Sequence, residues 1–281
     1  MSEVLKIFEA VAEVAPHISS GMLHRREYVG EENPSDEKQM EADVWANELI
    51  KEKLTSMDMI GQYASEEEPE ITECGEGLSV TVDPLDGSSN IPTNNLVGTI
   101  VGIYDEELPC SGENLVGSFY IVYGPLTSAM VAENSQVDEY VIEETPGDHV
   151  KTVKIGENLD LPEAKVYGFG GNKGWSDDFR KLEDKFSKEL KLRYGGALVG
   201  DVNQVIHHGG VFGYPAKESA PEGKLRLIFE ANPIGYIFES MEDGSSSNGE
   251  GSVLKIEPDE IHERTPFFVG NSSEIRRIGS K

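Results

Sequence analysis

The stretch VDPLDGSSN, residues 82–90, holds two aspartates three positions apart around a proline. The preceding LSVTV is typical of a buried strand, which we expect to end at Asp83 because Pro84 cannot continue a strand ladder. Asp83, the carbonyl of Leu85 and Asp86 then offer hard oxygen ligands suited to Mg²⁺ or Mn²⁺. The spacing is consistent with a metal site, and it is equally consistent with a plain Asx turn.

The residues that follow have the composition of a phosphate site. Gly87 permits a tight backbone, and Ser88, Ser89 and Asn90 are expected to open a helix-like turn. The first N–H groups of such a turn have no partner within it, so they can bind a phosphate.

Two further segments carry charges that could complete this site. The acidic cluster at 66–68 shortly precedes the aspartates, although in so acidic a chain it could be a solvated charge run. The stretch GKLRLIFE, residues 223–230, alternates as a strand does and would place Lys224, Arg226 and Glu230 on one face. Such a strand would offer two cations to a sugar phosphate and one carboxylate to a metal, or it could be an ordinary exposed face.

The overall charge makes these few cations notable. The 281 residues include 52 acidic and 24 basic side chains, a formal net charge of -28. Such a field repels nucleic acid and anionic membranes, so we expect neither as a partner. Acidic residues spread along the whole chain suggest a surface suited to a salt-rich cytoplasm, as in a halophile. A phosphate ester would therefore need bound cations or placed lysines and arginines.

The apolar pattern predicts the elements that hold these residues. Helical spacing predicts helices near residues 2–18 and 40–54, and the polar segment HRREYVGEENPSDEKQ between them is expected to be a loop. Short strands follow from residue 78, and the turn-rich passage 143–164 is expected to separate two subdomains, 1–160 and 161–281. The second is expected to hold helices near 177–190 and 200–208, a strand at GVFGYPA and a surface loop at 241–252.

Compartment and redox state follow from simpler features. No apolar run is long enough to cross a bilayer, and the N-terminus is acidic where a secretion signal is basic, so we expect a cytoplasmic protein. Cys74 and Cys110 lie in no metal or redox spacing and are expected to be free thiols.

Taken in order, the motifs resemble class I fructose-1,6-bisphosphatase, of the lithium-sensitive sugar phosphatase and inositol monophosphatase superfamily. They are VDPLDGSSN, VGTIVGIY, RYGGALVGDV, GGVFGYPA, GKLRLIFEANPIGYIFE and IHERTPFFVG. The resemblance implies an αβαβα five-layer sandwich of two mixed-sheet subdomains. It also implies release of the 1-phosphate of fructose 1,6-bisphosphate, as in gluconeogenesis, by a homo-oligomer, commonly a tetramer.

The resemblance also implies roles for individual residues. Metal ligands for two or three Mg²⁺, with Mn²⁺ as an alternative, would be Glu66, Asp83, Leu85, Asp86 and Glu230. Asp43 and Glu67 would orient and deprotonate the attacking water. Substrate would be bound by Gly87, Ser88, Ser89, Asn90, Asn172, Arg193, Tyr194, Tyr214, Lys224 and Arg226, with Arg193 reaching the site of a neighbouring subunit.

The chain departs from the family pattern at several positions. Trp175 replaces the usual tyrosine, and its single N–H is expected to remain able to donate to a phosphate. The Lys-Tyr pair of the family's AMP pocket reads Gly77-Leu78, and Asp105 replaces an arginine, so AMP inhibition is not expected. The loop from Tyr28 to Gln39, with Asn33, is a hypothetical lid over the metals.

Other activities stay open at this point. Sedoheptulose 1,7-bisphosphate and inositol monophosphate are alternative substrates, and the cations near residue 224 argue against the second because they suit an additional phosphate. A protein of another class, a metal- and phosphate-binding regulator without catalysis, would be expected to have lost ligands. The matched metal and base positions are all filled.

Overall fold

The computed structural model describes residues 1–32, 38–147, 149–171 and 173–279. The helices are α1 Glu3–Gly21, α2 Glu41–Thr55, α3 Asp177–Glu189, α4 Leu198–His208, α5 Asn232–Glu239 and α6 Ser272–Gly279. The strands are β1 Tyr28–Glu32, β2 Lys38–Met40, β3 Ile60–Ser65, β4 Thr72–Glu73, β5 Leu78–Asp86, β6 Val97–Tyr104, β7 Leu115–Tyr123, β8 Thr127–Glu133, β9 Gln136–Thr145, β10 His149–Gly156, β11 Val166–Phe169, β12 Lys191–Leu192, β13 Gly210–Tyr214, β14 Leu225–Arg226, β15 Gly244–Ser247, β16 Arg264–Thr265 and β17 Phe267–Asn271. A 3₁₀ helix spans Ser88–Thr93, and a π-helical turn spans Leu227–Ala231.

The elements stack in five layers. Helices α1 and α2 cover one face of an eight-stranded sheet of order β10-β9-β8-β7-β6-β5-β3-β4. Helices α4 and α5 lie between its other face and a five-stranded sheet of order β12-β11-β13-β17-β15. Helices α3 and α6 pack on the far side of this second sheet. The predicted αβαβα sandwich of two mixed sheets is therefore confirmed.

The pleat of the larger sheet explains why its strands are apolar throughout. Along β7, Phe119 and Ile121 face the cluster formed with α1 and α2. Tyr120 and Val122 face the cluster formed with α4 and α5. Because side chains alternate between the faces of a strand, a sheet covered on both sides needs apolar residues at nearly every position.

Three segments differ from their predicted structure. The passage 143–164, predicted to be rich in turns, completes β9 in its first part and then forms β10, the edge strand of the larger sheet. The predicted loop before α2 contains the antiparallel pair β1 and β2, although residues 33–37, including Asn33, lie outside the described residues. The predicted surface loop at 241–252 contains β15, whose Ser246 and Ser247 are buried against β17. Polar composition misled in all three, because backbone pairing can order polar segments that local pattern predicts as turns.

The remaining predicted helices and strands, apart from residues 223–230, are present within a few residues of their expected limits. Cys74 and Cys110 are both free thiols. In the part of the chain that is described, every helix is too short or too polar to traverse a bilayer.

Candidate active site

Asp83 and Asp86 lie on an irregular segment of β5. The strand does not end at Asp83 as predicted, but continues to Asp86 with a shift in its pairing to β6. The hydroxyl of Thr99 on β6 donates to the carbonyl of Pro84 at 2.9 Å, and the N–H of Leu85 donates to Asp83 Oδ1 at 3.1 Å. These bonds satisfy backbone groups that regular pairing leaves free, so proline distorts the strand without ending it.

Glu230 approaches the aspartates from a helical turn. The predicted strand over residues 223–230 is wrong beyond Arg226, because the next residues form the π-helical turn that leads into α5. The backbone N–H of Arg226 donates to Glu230 Oε2 at 2.6 Å, a contact that an extended strand could not make across four residues. A short apolar run is compatible with either conformation, and here packing decided between them.

Two hydroxyl groups of the larger sheet hold this turn in place. Thr81 Oγ1 on β5 and Tyr104 Oη on β6 both donate to the carbonyl of Ile228, at 2.8 and 3.2 Å. The turn is thereby fixed against the strands that carry the aspartates, which brings Glu230 to the same point.

The three carboxylates form a compact buried cluster. Oxygens of Asp83, Asp86 and Glu230 lie within 4.8 Å of one another. Burial raises the pKa of Asp83 well above its usual value, and the charges of Glu66, Asp86 and Glu230 raise it further. Burial also raises the pKa of Glu230, with Glu66 adding to the effect. A bound cation would relieve both the burial penalty and the repulsion, so these residues fit a divalent metal ion.

Asp86 links the cluster to helix α4. Its Oδ2 accepts from the N–H of Val199 at 2.7 Å, at the first turn of α4. Burial raises the pKa of Asp86 to about 6, while the N–H groups of Val199 and Leu198 and the charge of Lys224 act in the opposite direction.

The remaining predicted carboxylates surround this cluster. Glu66 directly follows β3, and its N–H donates to the carbonyl of Val82 at 3.0 Å, which places it beside the end of β5. Asp43, only 4% exposed in the first turn of α2, accepts from the N–H of Met40 at 2.7 Å. Glu67 accepts from Gln39 Nε2 at 2.5 Å. Two further segments, the first turn of α2 and the residues after β3, thus bring carboxylates to the cleft of the cluster.

A cleft of about 340 Å³ opens over the carboxylates. Most predicted site residues line it, namely Asp43, Glu66, Glu67, Asp83, Leu85, Asp86, Gly87, Ser88, Ser89, Tyr214, Lys224 and Glu230. The sequence did not single out Tyr28, Gly196, Leu198 and Leu225 as site residues, and they line the cleft as well. Asn172 lies outside the described residues.

The turn predicted to bind a phosphate, residues 87–90, has the expected helix-like form. Ser88 begins the 3₁₀ helix, and Gly87 precedes it in the left-handed region with φ of 76°. A Cβ at Gly87 would lie 2.4 Å from the Cβ of Ala197, so only glycine allows this turn to approach α4 so closely. The amide group of Asn90 donates to the carbonyls of Leu96 and Gly195, each at 3.0 Å. It therefore ties the turn to the loop before α4.

Arg226 lies behind the cleft and is not among the residues that line it. Its side chain is 1% exposed, and Nη2 lies 3.8 Å from Glu66 Oε1. A guanidinium so deeply buried beside acidic groups offsets their repulsion, which is a different role from the predicted contact with substrate.

Trp175 also differs from its expected role. Its indole Nε1 donates to the carbonyl of Gly170 at 3.2 Å, and the ring packs against Phe179. Since tryptophan has one N–H, this bond leaves none for a phosphate, and the expectation that it would remain available is wrong.

Arg193 and Tyr194 are close to the cleft without lining it. They line a neighbouring pocket, and Tyr194 Oη lies 3.4 Å from the hydroxyl of Tyr214. Asp201, which sequence reasoning missed, accepts from the N–H groups of Gly195 and Gly196 at 2.5 and 3.1 Å. The signal that could have found it is the pair of glycines before a helix with an acid in its first turn.

Comparison with known proteins agrees with this geometry. The N-terminal and C-terminal domains of the fructose-1-6-bisphosphatase family match residues 4–154 and 161–280. A class 1 fructose-1,6-bisphosphatase from Natronomonas pharaonis is 49% identical over 97% of this chain and 96% of its own length.

Two solved structures are similar over nearly the whole chain. Leishmania major fructose-1,6-bisphosphatase in holo form has a TM-score of 0.88 at 26% identity, covering 97% of this chain and 92% of that one. A Toxoplasma gondii protein described as a putative sedoheptulose-1,7 bisphosphatase has a TM-score of 0.87 at 28% identity, covering 99% and 94%. With both domain families matched in order and a relative this similar along its full length, the chain belongs to the class 1 fructose-1,6-bisphosphatase family.

Proposed function

We propose that this chain hydrolyses the 1-phosphate of D-fructose 1,6-bisphosphate, giving fructose 6-phosphate and inorganic phosphate. The observation that carries the proposal is the juxtaposition of three buried carboxylates with a 3₁₀ turn and Lys224 in one cleft. The carboxylates would supply a metal site, and the 3₁₀ turn would supply N–H donors for a phosphate. Lys224 would supply positive charge in an acidic protein.

The metal site would be formed by Asp83, Asp86 and Glu230, with Glu66 and the Leu85 carbonyl as further ligands. A bound divalent ion would lower the pKa of a coordinated water and offset negative charge on the phosphoryl and leaving oxygens. We propose Mg²⁺, in two or three positions per subunit, because all the offered ligands are oxygen atoms.

Other residues would orient the reactants. Asp43 and Glu67 each already accept one hydrogen bond from a neighbouring group, which restricts their carboxylates and suits them to hold and deprotonate a water molecule. The N–H groups at Gly87, Ser88 and Ser89 would bind the 1-phosphate. Tyr214 and Lys224 would contact the sugar and its second phosphate.

Substrate comparison tests the function. Purified protein in molar KCl with Mg²⁺ would be assayed for phosphate release from fructose 1,6-bisphosphate, sedoheptulose 1,7-bisphosphate, fructose 6-phosphate and inositol 1-phosphate. We expect the highest kcat/KM for fructose 1,6-bisphosphate, and no release after chelation of the metal. Asp83→Asn is the matched control for the charge of a metal ligand. Its amide oxygen can still accept the hydrogen bond from the Leu85 N–H, but the side chain no longer carries a negative charge.

Other outcomes would redirect the assignment. A preference for inositol 1-phosphate would retain the metal site and refute the role of Lys224. Absence of phosphate release from all four compounds would refute the enzymatic function and favour a non-catalytic regulator.

We further propose a homo-oligomer, such as a tetramer, in which Arg193 reaches the cleft of a neighbouring subunit. The support is that Arg193 lies outside the cleft lining of its own chain. Light scattering of the wild type would give the oligomer mass. In mixed oligomers, the cleft of an Arg193→Ala subunit should regain activity from the arginine of an Asp86→Ala neighbour only if the arginine acts in trans.

We also propose that the enzyme works in a salt-rich cytoplasm. The free thiols Cys74 and Cys110 are consistent with a reducing cytoplasm. The net charge of -28 suggests a surface suited to high salt.

We propose that the chain divides near residue 160 into a subdomain with most metal ligands and one that binds the sugar bisphosphate. Limited proteolysis between residues 155 and 165 would test that boundary.

A further inference from the structure

A tight turn at Gly170–Gly171 follows strand β11 next to the cleft. The N–H of Gly170 donates to the carbonyl of Gly213 at 2.9 Å, and its own carbonyl accepts from Trp175. A Cβ at Gly170 would lie 1.9 Å from Cε1 of Tyr214, so the ring of this cleft residue packs directly against the turn. The turn therefore has a fixed position relative to one wall of the substrate site.

The ammonium group of Lys217 lies against the second residue of the turn. A Cβ at Gly171, where φ is 70°, would lie 2.1 Å from Lys217 Nζ. The aliphatic part of the lysine passes close to Gly174 in the same loop. Reciprocal backbone hydrogen bonds between Lys217 and Ala220, at 3.1 and 3.0 Å, hold the lysine at this place. Among the described residues the ammonium has no carboxylate partner and no hydrogen-bond acceptor.

Lys224 contacts the ring of Tyr214, and Lys217 contacts the turn against which that ring packs. Lys224 Nζ is 4.9 Å from the centre of the Tyr214 ring, and its charge acts on Asp86. Lys217 lies at the turn against which the same ring packs. One ring thus connects a cation near the metal end of the cleft with a second cation at the Gly171 turn.

We propose that Lys217 binds the distal, non-reacting phosphate of the sugar bisphosphate together with Lys224, and that it is a specificity residue for bisphosphates. This rests on the proposed function, because that function defines which phosphate reacts at the carboxylates. Lys217 is not among the residues that the family resemblance supplied. An ammonium without a carboxylate partner in a chain of net charge -28 is suited to a phosphate ligand.

The groups around Lys217 leave its ammonium as the side-chain donor that the turn can offer to a phosphate. The N–H of Trp175 is used within the protein, so the turn presents no indole donor to a ligand. The glycines at 170 and 171 leave the turn without side chains, so a phosphate can approach the backbone and the ammonium together.

The test compares Lys217→Met with Lys165→Met. Lys165 is an exposed lysine immediately before β11, at the end of the strand opposite the turn, so it controls for loss of one charge. For Lys217→Met we expect KM for fructose 1,6-bisphosphate to rise about tenfold, the effect of losing one charge-assisted hydrogen bond. The preference for this substrate over fructose 1-phosphate, which lacks the distal phosphate, should fall by a similar factor. Lys217→Arg should restore most of both values.

Calorimetric titration with fructose 6-phosphate separates this inference from the proposed function. The dissociation constant should rise about tenfold in Lys217→Met and stay within twofold of the wild type in Lys165→Met. Unchanged binding in Lys217→Met would overturn the role of Lys217 even if the wild type hydrolyses the bisphosphate. Weakened binding in Lys217→Met, combined with a wild type that has no phosphatase activity, would support Lys217 as a phosphate ligand and refute the reaction.

Discussion

The carboxylate of Asp86 accepts a hydrogen bond from the backbone N–H of Val199, with 2.7 Å between Asp86 Oδ2 and Val199 N. Asp86 ends strand β5 of the larger sheet, and Val199 is the second residue of helix α4, which packs between the two sheets. One side chain therefore belongs to the acidic cluster and also satisfies the N-terminus of a helix. The geometry of the metal site and the packing of the two sheets depend on the same residue.

Substitution of Asp86 should separate these two roles. Asp86→Asn keeps an oxygen for the N–H of Val199, whereas Asp86→Ala keeps neither the ligand nor the acceptor. Phosphate release should fall by ~1,000-fold or more in both, because both lose a charged metal ligand. Urea unfolding should show the alanine variant less stable than the asparagine variant by about 1 kcal/mol, as for loss of a helix cap. Near-normal turnover in Asp86→Ala would refute the metal assignment.

Neutralising Asp83 should stabilise the metal-free protein. Its charge is opposed by burial and by four neighbouring carboxylates, so Asp83→Asn should raise the free energy of unfolding by about 1–2 kcal/mol without metal. The wild type should gain about 2.7 kcal/mol in Mg²⁺ at a hundred times its dissociation constant, and the variant much less. Thermal unfolding of both proteins with and without Mg²⁺ measures each quantity. Equal responses to the ion would contradict a ligand role for Asp83.

Replacing Arg226 should lower the stability of the folded protein more than it weakens substrate binding. Arg226→Met places an apolar side chain where a buried cation offsets Glu66, and it should cost about 3–5 kcal/mol in unfolding free energy. Arg226→Lys keeps the charge and should cost less. Chemical denaturation of both variants in molar KCl gives the comparison. A fully stable Arg226→Met protein with a raised KM would instead support direct contact between Arg226 and substrate.

Asp201 should make stability depend on pH. Burial raises its pKa from 3.8 to about 6, although the N–H groups of Gly195 and Gly196 oppose this change. The folded protein then binds a proton more readily than the unfolded chain, so this contribution to stability is full below about pH 4 and is lost as the pH rises through about 6. The pKa difference corresponds to about 3 kcal/mol at most.

Asp201→Asn removes this titration and provides its control. The difference in unfolding free energy between wild type and variant should shift in favour of the wild type as the pH is lowered from 7 to 4.5. Urea midpoints at both pH values, with KCl and chelator held constant, measure the change. The same difference at both pH values would show that Asp201 titrates normally in the folded protein.

Local sequence pattern predicted the structural features that depend only on residues close together in the chain. VDPLDGSSN predicted Asp83 and Asp86 as candidate metal ligands and the following turn as a candidate phosphate site, because proline, glycine and serine restrict the backbone within a few residues. The helices around Asp43 and after Gly196 followed from apolar spacing. Glu230 and the acidic cluster at 66–68 were candidates from the sequence pattern, and the ordered resemblance to a family assigned metal-ligand roles to Glu66 and Glu230. Nothing local showed that GKLRLIFE changes from strand to helical turn, because its apolar side chains suit both conformations.

The amino-acid sequence by itself determined the ligand types, the acidic surface and the order of most helices and strands. Tertiary structure alone decided which partner each polar group has. Asp86 and its hydrogen-bond donor Val199 are 113 residues apart in the chain. Arg226 lies inward beside Glu66, and the single side-chain N–H of Trp175 donates to the carbonyl of Gly170. The physical reason is that backbone preference and apolar periodicity act over a few residues, whereas hydrogen bonds and charge pairs depend on contacts made only after the two sheets pack around α4 and α5.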